Sequence, residues 1–223
     1  MLFRSRARQT TEVIAHFPAF IATTLLLAIV PGQGVAMIMR QAILGGARTA
    51  LFSLWGHSTG LIIWGALSGV GLSALFAKSE LAYSVLKWLG VLFLLFLSAQ
   101  TALHLRKESG KFNFDEIDND QGKSSQNAFR TGLIANLTNV KAAIFAVAFL
   151  PTFVPRDFSL GLGIFIFGCL WAVVSSSWYL FLIWTIDKSS VFIQRPQVRR
   201  VLTGISAIGI LGLAVGLALT SPH

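Results

Sequence analysis

Apolar residues fall along this chain in six long blocks, at 13–39, 49–77, 88–105, 131–155, 158–186 and 201–223, and formal charge is almost confined to the joints between them. An α-helix rises 1.5 Å per residue and needs ~20 apolar residues to cross a ~30 Å hydrocarbon layer, so each block is long enough to span. Only helices satisfy every backbone amide inside such a segment. A run such as Gly90 to Leu97 is apolar all round, whereas the helices of a soluble domain keep polar outer faces. The pattern predicts an all-α integral membrane protein with six transmembrane helices.

The blocks divide into three and three. An odd number of spans per half makes a repeat of the unit enter the membrane with opposite orientation, so the expected fold is two inverted three-helix repeats. One membrane domain over 1–223 is expected, with a first half at 13–105, a polar cytoplasmic connection at 106–127 and a second half at 128–220. The first span of each half is interrupted. In one, Pro31 removes an amide and Gly32 and Gly34 loosen the backbone. In the other, Asn136-Leu137-Thr138-Asn139-Val140-Lys141 puts a polar run inside an apolar segment. Broken first and fourth helices at matching positions point to a substrate site at the membrane midplane.

These same residues carry a family resemblance. Pro31-Gly32-Gln33-Gly34, the basic turn Gly46-Ala47-Arg48, and Gly56 and Gly60 spaced four apart follow one another in the first two spans. Phe129, Arg130, Gly132, Asn136, Asn139, Lys141, Ala142, Leu150, Pro151 and Phe153 then follow in the fourth. This arrangement resembles the LysE/RhtB family of amino-acid exporters over nearly the whole chain after about residue 14. Two positions depart from the family pattern. Gln33 and Gly34 stand where it has a second proline and an acidic or amide neighbour, which removes the usual carboxylate, and Val140 replaces the proline between Asn and Lys. The resemblance implies an amino-acid exporter of the bacterial inner membrane.

Lys141 is the one formally charged residue deep in a block. Placing a lysine at a helix centre costs ~2.5–3.5 kcal/mol on insertion scales, which makes it a functional candidate. A bland alternative is that it pairs with a carbonyl. With Asn139 as N-cap, Val140 at N1 and Lys141 at N2, a second half-helix would aim amides, dipole and ammonium at the α-carboxylate of an amino acid. Gln33 and the carbonyls freed around Pro31, beside Gly32 and Gly34, would face the substrate's ammonium. Asn136, three residues before Asn139, lies on the same face and either lines the cavity or bonds between helices. His57 is either an interhelical donor or, like Lys141, a proton carrier. The serines at 175–177 and the pairs Gly56/Gly60, Gly65/Gly69 and Gly212/Gly216 suit close helix packing. The six tryptophans, Trp55, Trp64, Trp88, Trp171, Trp178 and Trp184, suit interface anchors or core filler.

Composition narrows the alternatives. The net charge of +9 flanks apolar blocks, so it reads as topology and headgroup anchoring and not as a nucleic-acid surface. Basic residues are more numerous in connections 1–2, 3–4 and 5–6 than on the opposite side, which predicts both termini outside the cytoplasm. No GxxxxGK[ST] motif suggests ATP use, so an ion gradient, with H+ as the coupling ion, is the expected drive. A thiol-redox carrier on a similar scaffold needs a cysteine pair, and Cys169 is alone. A metal or inorganic-ion exporter would call for clustered ligands, while His16, His57, His104 and His223 are scattered. The expectation is a non-enzymatic secondary exporter, neutral amino acids favoured, with no cofactor or metal. Its partners are membrane lipid, substrate and proton, a homo-oligomer being allowed.

Overall fold

The computed structural model describes residues 17–30, 32–76, 80–107, 124–155 and 158–193, with further helical positions between 201 and 219. Pro31, the arginine-rich start of the chain and most of the 106–127 connection lie outside the described residues. Every regular element among the described residues is helical: α1 (Phe17–Ile29), α2 (Gln33–Phe76), α3 (Glu80–Lys107), α4 (Ser125–Leu137), α5 (Val140–Ile144) and α6 (Leu160–Ile193). Between α5 and α6 the chain passes through a π-helical turn, Phe145–Phe149, and a 3-10 turn, Leu150–Phe153. Pro151 accounts for that irregularity, because its ring displaces the carbonyl four residues back and it has no amide to donate.

Two segments, Gln33–Leu72 and Leu160–Asp187, are long and apolar enough to cross a membrane. Ser125–Leu137 and Val140–Phe153, bent by 55° at a short break, supply a third crossing, and Phe17–Ile29 is apolar but shorter. By length and composition two to three crossings are therefore clear among the described residues, fewer than the six expected. One reason is that the last apolar block is described only at separate positions.

α2 is not one straight rod. At Gly46 the backbone takes φ 74° and ψ 174°, outside helical space. A Cβ built on Gly34 would stand 2.9 Å from the ring of His57, although 23 residues of straight helix would separate those positions by about 35 Å. The chain folds back at Gly46, and residues 33–45 lie alongside 47–76. Apolar packing agrees: Val35, Met37, Ile38 and Ala42 share one buried cluster with Ala50 and Leu54. Arg40, which follows the first apolar block directly and was expected in the first connection, is buried within the helix. Its charge marked the end of the apolar block but not the end of the helix.

The 47–76 segment is the spine of the bundle. A Cβ on Gly56 would collide with the carbonyl of Phe129, and one on Gly132 with the carbonyl of Ser53, so this segment and α4 touch backbone to backbone. Ser53 Oγ donates to the Ala128 carbonyl at 3.0 Å across the same contact. Higher up, Gly65 faces Gly168 so closely that a Cβ on either would come within 2.9 Å of the other's Cα, and Gly69 lies against the Gly161 carbonyl. The small-residue pairs thus hold α4 and α6 on one shared helix, as dispersion-driven packing in lipid requires.

Gly46 occupies backbone space that is closed to residues with a Cβ, and nothing else stands near it. Gly46→Ala should therefore lower unfolding stability by about 1–3 kcal/mol through backbone strain alone. Gly71→Ala, at an open helical site, should be neutral or slightly stabilising. Unfolding in detergent of the two variants side by side checks this.

Candidate functional site

In an unbroken helix the carbonyl of Leu27 would accept from the amide of residue 31, but residue 31 is proline and has none. The last regular bond of α1 runs from the Val30 amide to Leu26, and the next helix begins with the Ala36 amide on the Gly32 carbonyl. The carbonyls of Leu27 and Val30 are left over at the break. Both accept from one donor, the ammonium of Lys141, at 3.0 and 3.4 Å. Gly32 lies beside the ammonium, where a Cβ would stand 3.5 Å from Lys141 Nζ, an ordinary contact.

Lys141 comes from the second break. α4 ends at Leu137, and Asn139 leaves helical space at φ −81°, ψ 101° to become the N-cap of α5. Its side-chain oxygen accepts from the Lys141 amide at 3.1 Å, so that amide is committed to the cap. Val140 sits at N1 and is largely exposed, so the cap forms without the proline that would be favoured there. Gln33 Nε2 donates to Thr138 Oγ1 at 3.2 Å, a second link between the breaks.

The two breaks meet at a small cavity between the two apolar clusters, with Lys141, His57, Asn136, Asn139, Ser175 and Tyr179 among its lining. It offers about 20 Å³ to water centres, room for a water molecule but not for an amino acid. Asn136 is completely buried there. Its amide nitrogen lies 3.3 and 3.4 Å from the ring nitrogens of His57, while its Oδ1 has no hydrogen-bond partner among the described residues. The ring of Tyr179 stands edge-on to His57, centroids 5.2 Å apart. Through Trp171 the cavity adjoins aromatic packing: Trp171 lies 4.7 Å from Phe145, and Phe20 meets Phe167 and Phe153 at 4.8 and 5.2 Å.

Among the residues singled out from sequence, Asn136, Asn139, Lys141 and His57 therefore converge. Gly32 borders the lysine ammonium, and Gly34 lies against His57 and the Tyr179 hydroxyl. Gln33 is exposed and turned away from the cavity, because adjacent helical residues point ~100° apart and Gly34 holds the inward position. Pro31 is outside the described residues. Tyr179 was missed, Ser175 was assigned to packing, and Trp171 to an interface anchor or core filler. A signal for all three existed: Trp171, Ser175 and Tyr179 recur at every fourth position and so form one stripe along α6. The other tryptophans divide. Trp64 reaches the Asn136 carbonyl at 3.4 Å, whereas Trp55, Trp88 and Trp184 are exposed.

Residues 25–221, which include both breaks, match the family of LysE type translocators. The chain belongs to that family. This translocator is 22% identical over 209 residues to an uncharacterized membrane protein of Bacillus subtilis, covering 91% of this chain and 98% of the relative. It is 35% identical over 136 residues to a homoserine/homoserine lactone efflux protein of Salmonella typhimurium, and 34% identical over the same length to one of Salmonella typhi. Each of those two matches covers 61% of this chain and 63% of the relative. No solved structure is a significant match.

The translocator's cavity depends on Gly60 as much as on the polar groups. A Cβ at Gly60 would lie 2.6 Å from Asn136 Oδ1 and 2.7 Å from its Cβ, too close unless the buried Asn136 shifts. Gly60→Ala should destabilise the protein by about 1–3 kcal/mol through overpacking. Adding Asn136→Gly should restore most of that stability, since it removes the whole colliding side chain. Thermal unfolding of the single and double variants measures both effects.

Proposed function

We propose that this translocator exports a small neutral amino acid or a close derivative, of the kind represented by homoserine and its lactone, from the cytoplasm across the bacterial inner membrane. The observation that carries the reading is the cavity at the meeting of the two helix breaks. Its lining includes an ammonium, two carboxamides, an imidazole and two hydroxyls, and among the described residues no carboxylate. In this reading Lys141 holds the substrate's carboxylate, and Asn136 and Asn139 hydrogen-bond its polar atoms. A second cation on the substrate side chain would meet Lys141 with nothing to neutralise it. The names of the Salmonella relatives support the same substrate class.

The proposed architecture is six helices in two inverted halves, with both termini outside the cytoplasm. Its support is that a half-helix follows each break, 33–45 after the first and 140–153 after the second, and that Lys141 joins the two breaks directly. Pseudo-symmetric broken helices around one central site are how secondary transporters alternate access. The cavity is closed to a substrate in this state, so transport requires the breaks to part. H+ is the proposed coupling ion, with His57 and Lys141 as the groups positioned to carry it.

Lys141→Ala should reduce efflux by about 100-fold or more, the usual consequence of removing one partner of a buried charge contact. Lys141→Arg should also fail, because a planar fork does not replace a compact ammonium. Efflux from cells preloaded with single amino acids, with membrane protein quantified by blot, tests both variants. Lysine or arginine efflux exceeding that of every neutral amino acid would refute the neutral preference.

In proteoliposomes a protonophore should abolish concentrative transport, while replacement of Na+ by choline should leave it intact. His57→Gln should keep substrate exchange and lose dependence on the proton gradient. Sodium-dependent transport that ignores the protonophore would exclude proton coupling.

A further inference from the structure

The carbonyls of Leu27 and Val30 are a pair of acceptors freed by a helix break, and their occupant is the chain's own cation, Lys141. A primary ammonium has three donors, and Lys141 Nζ places two of them on these carbonyls.

Homoserine and homoserine lactone share a primary ammonium but not a carboxylate, which the lactone has closed into an ester. A cavity that accepts both must read the shared group. We propose that the Leu27 and Val30 carbonyls form the subsite for the substrate's α-ammonium, and that Lys141 holds this subsite as a resident competitor before the substrate arrives. This inference rests on the substrate class proposed above. The arriving ammonium displaces Nζ, and the released Lys141 then meets the substrate carboxylate where there is one. Because Nζ is also the tie between the two breaks, its displacement is what frees them to part. A ligand without an ammonium leaves the tie in place.

The test is equilibrium binding of L-homoserine, L-homoserine lactone and N-acetyl-L-homoserine to purified full-length protein in lipid nanodiscs, at a pH that keeps the lactone amine protonated. Wild type should bind homoserine best, the lactone more weakly because Lys141 gains no new partner, and N-acetyl-homoserine at least about 100-fold more weakly than homoserine for want of an ammonium. In Lys141→Met, which keeps the side-chain length and removes the competitor, the lactone should bind about tenfold more tightly than in wild type, while homoserine loses its carboxylate partner. Equal binding of N-acetyl-homoserine and homoserine by wild type would overturn the subsite, and this arm needs no variant to fold. Equal weakening of homoserine and lactone in Lys141→Met would overturn the competitor role. A wild type that binds none of the three overturns the proposed substrate class and this inference with it, whereas homoserine binding with either of the preceding results overturns the inference alone.

Discussion

The contact on which the candidate site depends ties one helix break to the other: the Lys141 ammonium on the carbonyls of Leu27 and Val30. Each partner explains the other. Pro31 cannot supply the amide that Leu27 needs, and in a hydrocarbon environment an unpaired carbonyl is costly, so the break requires a donor from elsewhere. Lys141 cannot sit deep in an apolar bundle without acceptors, and a helix terminus presents carbonyls carrying the negative end of the dipole. Two local faults, each unfavourable by itself, stabilise one another when brought together.

What brings them together is packing that only small residues permit. The reversal at Gly46 lays 33–45 beside 47–76 and sets Gly34 against His57. Gly56 and Gly132 let α4 approach the same segment until backbones touch, and Gly60 leaves the volume that Asn136 fills. At Gly34 and Gly60 a methyl group would press on polar residues of the cavity, His57 and Tyr179 at the first and Asn136 at the second, while at Gly56 and Gly132 it would meet the neighbouring backbone. The serine contacts, Ser53 to Ala128 and Ser58 to Ser176 at 2.7 Å, add polar fastening along the same seams. The site is thus a by-product of close helix contact, and its few polar groups are fixed because the helices that bear them cannot separate slightly.

Features governed by local chemistry were legible in the sequence. Asn139 before Val140 and Lys141 announced an N-cap, and the cap is there, with the side-chain oxygen on the Lys141 amide. The glycine pairs at 56/60 and 65/69 announced close packing, and both pairs make it. What escaped depended on rotation about a helix axis or on distant partners. Gln33 and Gly34 are equally plausible on paper, yet one turn of ~100° puts the glycine inside and the glutamine outside. Arg40 looked like the end of a span because charge normally marks one, but the helix continues to Gly45 with the arginine buried. Tyr179 was lost among the apolar residues of α6, although its spacing from Ser175 and Trp171 would have picked it out had the helix been read by face.

The charge in the cavity has a further consequence for selectivity. Among the described residues that line the cavity, Lys141 carries the one formal charge and none is acidic. A zwitterion adds no net charge, and its carboxylate can settle on whichever cation is displaced, so the loaded cavity is no worse in charge than the empty one. A second cationic group on the substrate leaves two like charges in a confined space. At ~4 Å and an effective dielectric constant of ~20 their repulsion is about 4 kcal/mol, roughly a thousandfold in affinity. That single term outweighs what one additional neutral hydrogen bond returns, about 0.5–1.5 kcal/mol, so a lysine-like substrate could not recover its loss through better contacts elsewhere. The proposed preference for neutral cargo rests on this arrangement of charge, in which Gln33 and Gly34 bring no carboxylate to offset the lysine.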